Sequence, residues 1–188
     1  MSSKGGHATI RAMNKELAAV RALLSARAHL ETVTPLQRDC GGLCLSACCQ
    51  TPEGGLGGML LFPGEETLYQ ILPAAFSLQA NDHILPGGVL LICEGRCERH
   101  DRPLACRIFP LQFGFAEGEA TVFLDPRAWP VCPLMPSGME GLRADFVGAA
   151  KQAAEVLCLV PILREFIESQ QTHIQGYTKP LWESGEWA

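Results

Sequence analysis

The sequence lacks any apolar run approaching the about 18 residues of a bilayer-spanning helix, which predicts a chain that does not cross a membrane. It lacks a basic excess as well. Fifteen Lys and Arg stand against 20 Asp and Glu, a net charge of −5, which argues against nucleic acid as the main partner. The opening segment, MSSKGGHATIRAMNKELAAV, has no apolar leader core and no small-residue cleavage pattern, so the expected location is cytoplasmic rather than secreted. Common catalytic signatures are missing too: there is no G-x-x-x-x-G-K-S/T, no H-E-x-x-H and no G-x-S-x-G. The GGLGG at 54–58 has neither the spacing nor the following Lys of a nucleotide loop.

Charged residues make up only 19% and apolar residues 47% of the 188, a balance that excludes a disordered polyampholyte. A compact chain of this length buries roughly 70% of its unfolded surface, enough for one domain with a true core. Cysteine stands out. Nine cysteines fall well short of the roughly 8–10% of a disulfide scaffold, and in a reducing compartment clustered thiols bind metal or do redox chemistry.

Along the chain, Ile10, Met13, Leu17, Val20 and Leu24 recur at spacings of three and four and predict an amphipathic helix over about 9–27. Their stripe is read as core packing, with a partner-helix surface as the alternative. The glycine-rich stretch 41–58 is read as loop. A short strand at 59–62 and a short helix from Glu65, ending before Pro73, follow. Residues 89–93 read as a buried strand. Segments 107–115 and 120–125 flank Glu117-Gly118 and predict a hairpin. Helical periodicity returns over 139–169, with Phe146, Ala150, Ala153 and Leu157 on one face and a kink or split at Pro161. The expected architecture is α+β. It is a small single domain over 1–173, with terminal helices around an irregular cysteine-rich centre that carries short antiparallel strands, and a loosely held tail over 174–188.

Eight of the cysteines cluster. Cys40-GGL-Cys44-LSA-Cys48-Cys49 forms one run, Cys93-EGR-Cys97-ERHDRPLA-Cys106 a second, and Cys132 follows in VCPL. Thiolates three or four residues apart converge on a metal where glycine lets the backbone turn, as Gly41 and Gly42 do here. Consecutive side chains diverge, so Cys48 and Cys49 are not expected to serve one ion as equivalent ligands. Eight thiols make two four-coordinate sites, or one site with spare thiols. Cys158, in EVLCLV, is read as a small buried hydrophobe.

Zinc and a [4Fe–4S] cluster both take four thiolates, and spacing does not choose between them, although the cluster is favoured. Between Cys93 and Pro110 lie four arginines (Arg96, Arg99, Arg102, Arg107) and three acids (Glu94, Glu98, Asp101). Arg102 and Arg107, beside Pro103 and Cys106, are candidates to donate to sulfur and tune the thiols. Arg96 and Arg99 are expected to be solvated, as is the ring of His100. Glu65 and Glu66 are assigned to the favourable dipole at a helix start rather than to metal.

These segments resemble the YkgJ-like cysteine-cluster family, the CxxCxxCC domain described as zinc- or iron-chelating. The resemblance rests on CGGLCLSACC, GMLLFPGEE, LLICEGRCERHDRPLACRIFPL and DPRAWPVCPL, over about residues 39–134. It implies that Cys40, Cys44, Cys48 and Cys49 stand for the family's opening run, Cys93, Cys97 and Cys106 for its second group, and Cys132 for its late cysteine. The opening spacing here, C-x₃-C-x₃-C-C, is looser than the family's name. A similar domain in the flagellin lysine N-methylase group makes a redox or protein-modifying enzyme one alternative to a plain metal-binding protein, and a metal-free thiol switch at Cys48–Cys49 is another. No residue pattern specifies a protein or small-molecule partner.

Overall fold

The computed structural model describes residues 4–37, 40–50, 58–82, 84–95 and 97–177, with side chains from residue 13 onward. Five helices and two small antiparallel sheets form an α+β domain: α1 (Lys4–His29), α2 (Gly41–Cys44), α3 (Leu104–Ile108), α4 (Ala144–Cys158) and α5 (Pro161–Tyr177), with strands β1 (Met59–Leu60), β2 (Phe76–Ala80), β3 (Val89–Cys93), β4 (Leu111–Ala116) and β5 (Glu119–Leu124). Strand β3 is central in the first sheet, between β1 and β2, with Leu91 opposite both Met59 and Leu78 and Cys93 opposite Phe76. The second sheet is the expected β4–β5 hairpin. Its two-residue turn, Glu117 (φ 54°) and Gly118 (φ 85°), has the paired positive φ of a type I′ turn, whose twist matches that of the flanking strands.

Pro161 splits the C-terminal helical region. It is the first residue of α5, where a missing N–H costs nothing, and α4 ends at Cys158. Phe146, Ala150, Ala153, Ala154 and Leu157 of α4 are buried, as the periodicity predicts. Helix α5 runs on to Tyr177, with Ile174 buried, so part of the expected tail is packed helix; Trp182 and Trp187 lie outside the described residues. Gln171 of α5 accepts from the Phe115 N–H at 2.8 Å and donates to its carbonyl at 3.0 Å, pairing with the free edge of β4 as another strand would.

Three expectations need correction. The predicted apolar stripe of α1 is not its core face, for Met13, Leu17 and Leu24 are all exposed. The buried face is Ala19, Ala22, Leu23, Ala26 and Leu30, and it packs on α4. A mostly alanine face lets two helices approach closely but carries little hydrophobic signal, so the larger side chains on another face dominated the periodicity. The segment at 107–115 does not begin as a strand, because Arg107 lies in α3 and pairing starts only at Leu111. Arg99 is not simply solvated. It donates to the carbonyls of Leu30 (2.6 Å), Glu31 (2.8 Å) and Val33, in the segment that follows α1. Arg96 lies outside the described residues.

The polar centre of the fold is Glu65, fully buried at the head of the 3₁₀ turn Glu65–Tyr69. One carboxylate oxygen accepts from the Leu104 N–H at 2.7 Å and from Arg27 at 3.2 Å, and the other from the Phe62 N–H at 3.2 Å. Burial raises its pKa against the opposing pull of those two N–H groups and of Arg27. Arg27 also donates to the His100 carbonyl (2.7 Å), and the Tyr69 hydroxyl to the Asp101 carbonyl (2.9 Å). The ring of His100 is exposed, as expected.

Breaking such a buried pair leaves a charge and two N–H groups unsatisfied, so Glu65→Ala should cost about 3–5 kcal/mol in chemical denaturation. Glu65→Gln, which keeps an acceptor oxygen, should cost less, and equal losses would show that the carboxylate's hydrogen bonds do not matter. A second test uses acid. The Arg107 guanidinium hydrogen-bonded to Glu31 holds that carboxyl below its ordinary 4.5, so the stabilisation is complete above that value and is lost as pH falls below it. Glu31→Gln should therefore be less stable at neutral pH and show a shallower acid limb in thermal melts taken down through pH 4.5.

Candidate functional site

The opening cysteine run folds as two tight turns. Helix α2 ends at Cys44, and Leu45 (φ 52°) and Ser46 (φ 58°) then both adopt left-handed backbone before the 3₁₀ turn Ala47–Cys49. Two successive non-glycine residues in that region are costly, at about 1–3 kcal/mol each, and such strain concentrates at functional sites. The knuckle is held by Ser46 N–H to Gly41 O (3.0 Å) and Cys49 N–H to Ser46 O (2.8 Å). Its effect is to stack Cys40, Cys44 and Cys48 along one side. The region of 41–58 read as a single loop thus contains short helical turns at 41–44 and 47–49, while 51–57 lie outside the described residues.

One cavity gathers Cys40, Cys44, Cys48 and Cys132, walled by Phe109, Pro110, Val131, Pro133 and Leu134. Cys132 reaches it through a turn the sequence signals locally. The side chain of Asp125 accepts from the Arg127 N–H at 2.9 Å, capping the 3₁₀ turn Pro126–Ala128, and the Cys132 N–H bonds the Ala128 carbonyl at 2.8 Å. The Asp125 N–H in turn bonds the Pro110 carbonyl at 2.8 Å, which ties this turn to the segment after α3.

The remaining clustered thiols lie together on the other side of the knuckle. Cys93 ends β3, Cys97 follows a turn through Gly95 (φ 82°), and Cys106 sits on α3. Cys49 joins them: a Cβ added to Gly95 would lie 2.5 Å from the Cys49 carbonyl oxygen, so the two backbones touch. Burial raises the Cys106 thiol well above its ordinary range, and the charges of Cys49, Cys97 and Cys93 add to that. Burial also raises Cys97, against a hydrogen bond from Arg102 that favours its thiolate. Arg102 is thereby placed on sulfur. Arg107 is placed otherwise, donating to the carbonyls of Arg102 (3.0 Å) and His100 (2.8 Å) and pairing with Glu31, so that it holds the 99–102 turn.

The vicinal pair joins the two sides. The sulfurs of Cys48 and Cys49 are 3.9 Å apart, and the Cys48 thiol is pushed up first by its contact with Cys49, then by burial and by Cys49, Cys44 and Cys40 as charges. Thiols that raise one another's pKa stay protonated until a cation offsets the repulsion, which is the proton-releasing chemistry of thiolate metal sites. All nine cysteines are free thiols here. Among the described residues, no group of three or more His, Cys, Asp or Glu side chains is placed to hold a metal ion. By chemical type, cysteine sulfur is a donor for thiophilic metals such as zinc and iron. Cys158 stands apart at the end of α4, packed against the main core, its thiol pushed up to about 11 by burial.

Sequence reasoning did not find Glu65, Arg27, Arg99 or Gly95 as supports of this region, because each acts on a partner distant in sequence. Asp125 was not singled out either, although Asp-Pro is a local turn signal. Compared with protein-family models, with curated proteins and with solved structures, the chain matches none, and the resemblance to the YkgJ-like family rests on its motifs.

The Gly95 contact gives a direct test. Gly95→Ala forces a side chain into left-handed backbone and against the Cys49 carbonyl, and should cost at least about 1–3 kcal/mol. Gly118→Ala, with a similar φ but nothing within 4 Å of the added Cβ, should cost only the roughly 1–2 kcal/mol of the backbone term. Equal denaturation midpoints for the two variants would show that Cys49 does not press on the Gly95 turn.

Proposed function

We propose that the chain is a metal-binding protein of the YkgJ-like cysteine-cluster kind, working in a reducing, cytoplasmic compartment and holding zinc or an iron–sulfur cluster through clustered thiolates. The single observation that carries this reading is the gathering of thiols from three distant chain segments. Cys132 meets Cys40, Cys44 and Cys48 in one cavity, and Cys49 meets the Cys93–Cys106 segment. Structural cysteines that merely pack, as Cys158 does, have no reason to collect in this way. The charge is also suited: Arg102 donates to Cys97, and the 99–102 turn is clamped by Arg27, Arg99 and Arg107. Among the described residues, no helix is long and apolar enough to cross a membrane.

A closed four-thiolate zinc would make the domain a scaffold, with its work done on its surface. An iron–sulfur cluster would bring electron transfer or an open iron. The test is anaerobic purification of the full chain, followed by its visible spectrum and assays of iron, acid-labile sulfide and zinc. Brown protein with matched iron and sulfide supports a cluster, and colourless protein with bound zinc supports the scaffold. Metal-free protein with all nine thiols readily alkylated overturns the proposal. Cys44→Ser or Cys106→Ser should lower metal content and melting temperature together, because binding energy here is folding energy. Cys158→Ser should leave metal content unchanged.

A further inference from the structure

We infer that the eight clustered cysteines form two separate thiolate centres, Cys40/Cys44/Cys48/Cys132 and Cys49/Cys93/Cys97/Cys106, divided at the Cys48–Cys49 peptide bond. The inference rests on the metal-binding reading above and goes beyond it by assigning each thiol to a centre. Each set holds four sulfurs, the number that a tetrahedral zinc ion or one iron–sulfur cluster takes.

Two observations divide them. The cavity beside Phe109 and Val131 admits Cys48 with Cys40, Cys44 and Cys132, and Cys49 is not among its walls. Gly95, midway between Cys93 and Cys97, lies against the backbone of Cys49. Cys48 and Cys49 are consecutive in a 3₁₀ turn with their sulfurs 3.9 Å apart, so the boundary between the sets falls between two neighbouring thiols. Helix α2 sets Cys44 against the Cys40 carbonyl, and the knuckle at Leu45 and Ser46 brings Cys48 to the same cavity. Chain connectivity agrees, since each set takes ligands from the opening run and completes itself with a different later segment.

The rival arrangement is one ion held by Cys48 and Cys49 together. Their 3.9 Å separation is close to the sulfur–sulfur edge of a tetrahedral shell with metal–sulfur bonds of about 2.3 Å. That arrangement would join both sets into one centre and leave four thiols spare.

The experiment counts metals on the full chain by native mass spectrometry, in the wild type and in Cys132→Ser and Cys97→Ser. Two centres in the wild type, each single variant losing half the metal and the double variant losing all of it, are expected. One centre in the wild type, or complete loss from either single variant while it stays folded by circular dichroism, overturns the division and leaves the metal-binding reading intact. A wild type without metal, and unable to take up cadmium after reduction, overturns the metal-binding reading itself. Should the variants not fold, cadmium NMR on reconstituted wild-type chain decides the matter. Two tetrathiolate resonances support the division, and a single one refutes it.

Discussion

A single carboxylate without access to water organises this molecule. Glu65 accepts the first N–H of α3, the Phe62 N–H and the Arg27 guanidinium, so one side chain fastens α1, the β1 exit and the helix that bears Cys106. A short helix such as α3, with Pro103 before it and no cap of its own, has little intrinsic reason to form. Supplied with a carboxylate from elsewhere, it forms where Cys106 has to be. The backbone between Cys97 and Cys106 is then held by cations acting on carbonyls, with Arg27 and Arg107 both on His100 and Arg99 on the segment that follows α1. This polar frame fixes the backbone that carries Cys97 and Cys106.

The opening run solves a different problem. Its thiols are close in sequence, so the difficulty is direction and not distance. Two left-handed residues, neither of them glycine, fold the chain sharply between Cys44 and Cys48, and the neighbouring Leu43 and Leu45 side chains are left in solvent. Local strain of this kind persists only where the surroundings over-determine it. The hydrogen bonds across the knuckle and the contact of Cys49 with Gly95 supply that constraint.

Much of this was legible beforehand, and the exceptions share a cause. The β4–β5 hairpin, strand β3, the split at Pro161 and the buried face of α4 are local patterns with strong signals. The core face of α1 was misjudged because alanine is a weak hydrophobe and an excellent close-packing residue. Strand β2, FSLQA, was missed, being short and mostly exposed on one side. The clustered cysteines were visible as donors, whereas their neighbours in space were not. That Cys132 sits with Cys40 and that Cys49 sits with Cys93 depends on long-range packing, which spacing does not encode. Arg99 and Glu65 were taken for surface and helix-end residues for the same reason, since both partners lie more than thirty residues away.

The order in which the ligands occur along the chain also bears on how the protein is made. A ribosome delivers Cys106 before Cys132, so on the proposed division the Cys49 set is fully synthesised while the Cys40 set still lacks its last member. Domains begin to organise as they emerge, and closing a longer loop costs more entropy. If that division holds, the set that includes Cys106 would be complete first, and the other only once Cys132 and the Asp125 turn have been made. On that division, the vicinal pair would be the point at which the earlier-finished half of the protein presents a pre-oriented thiol to the half still being built.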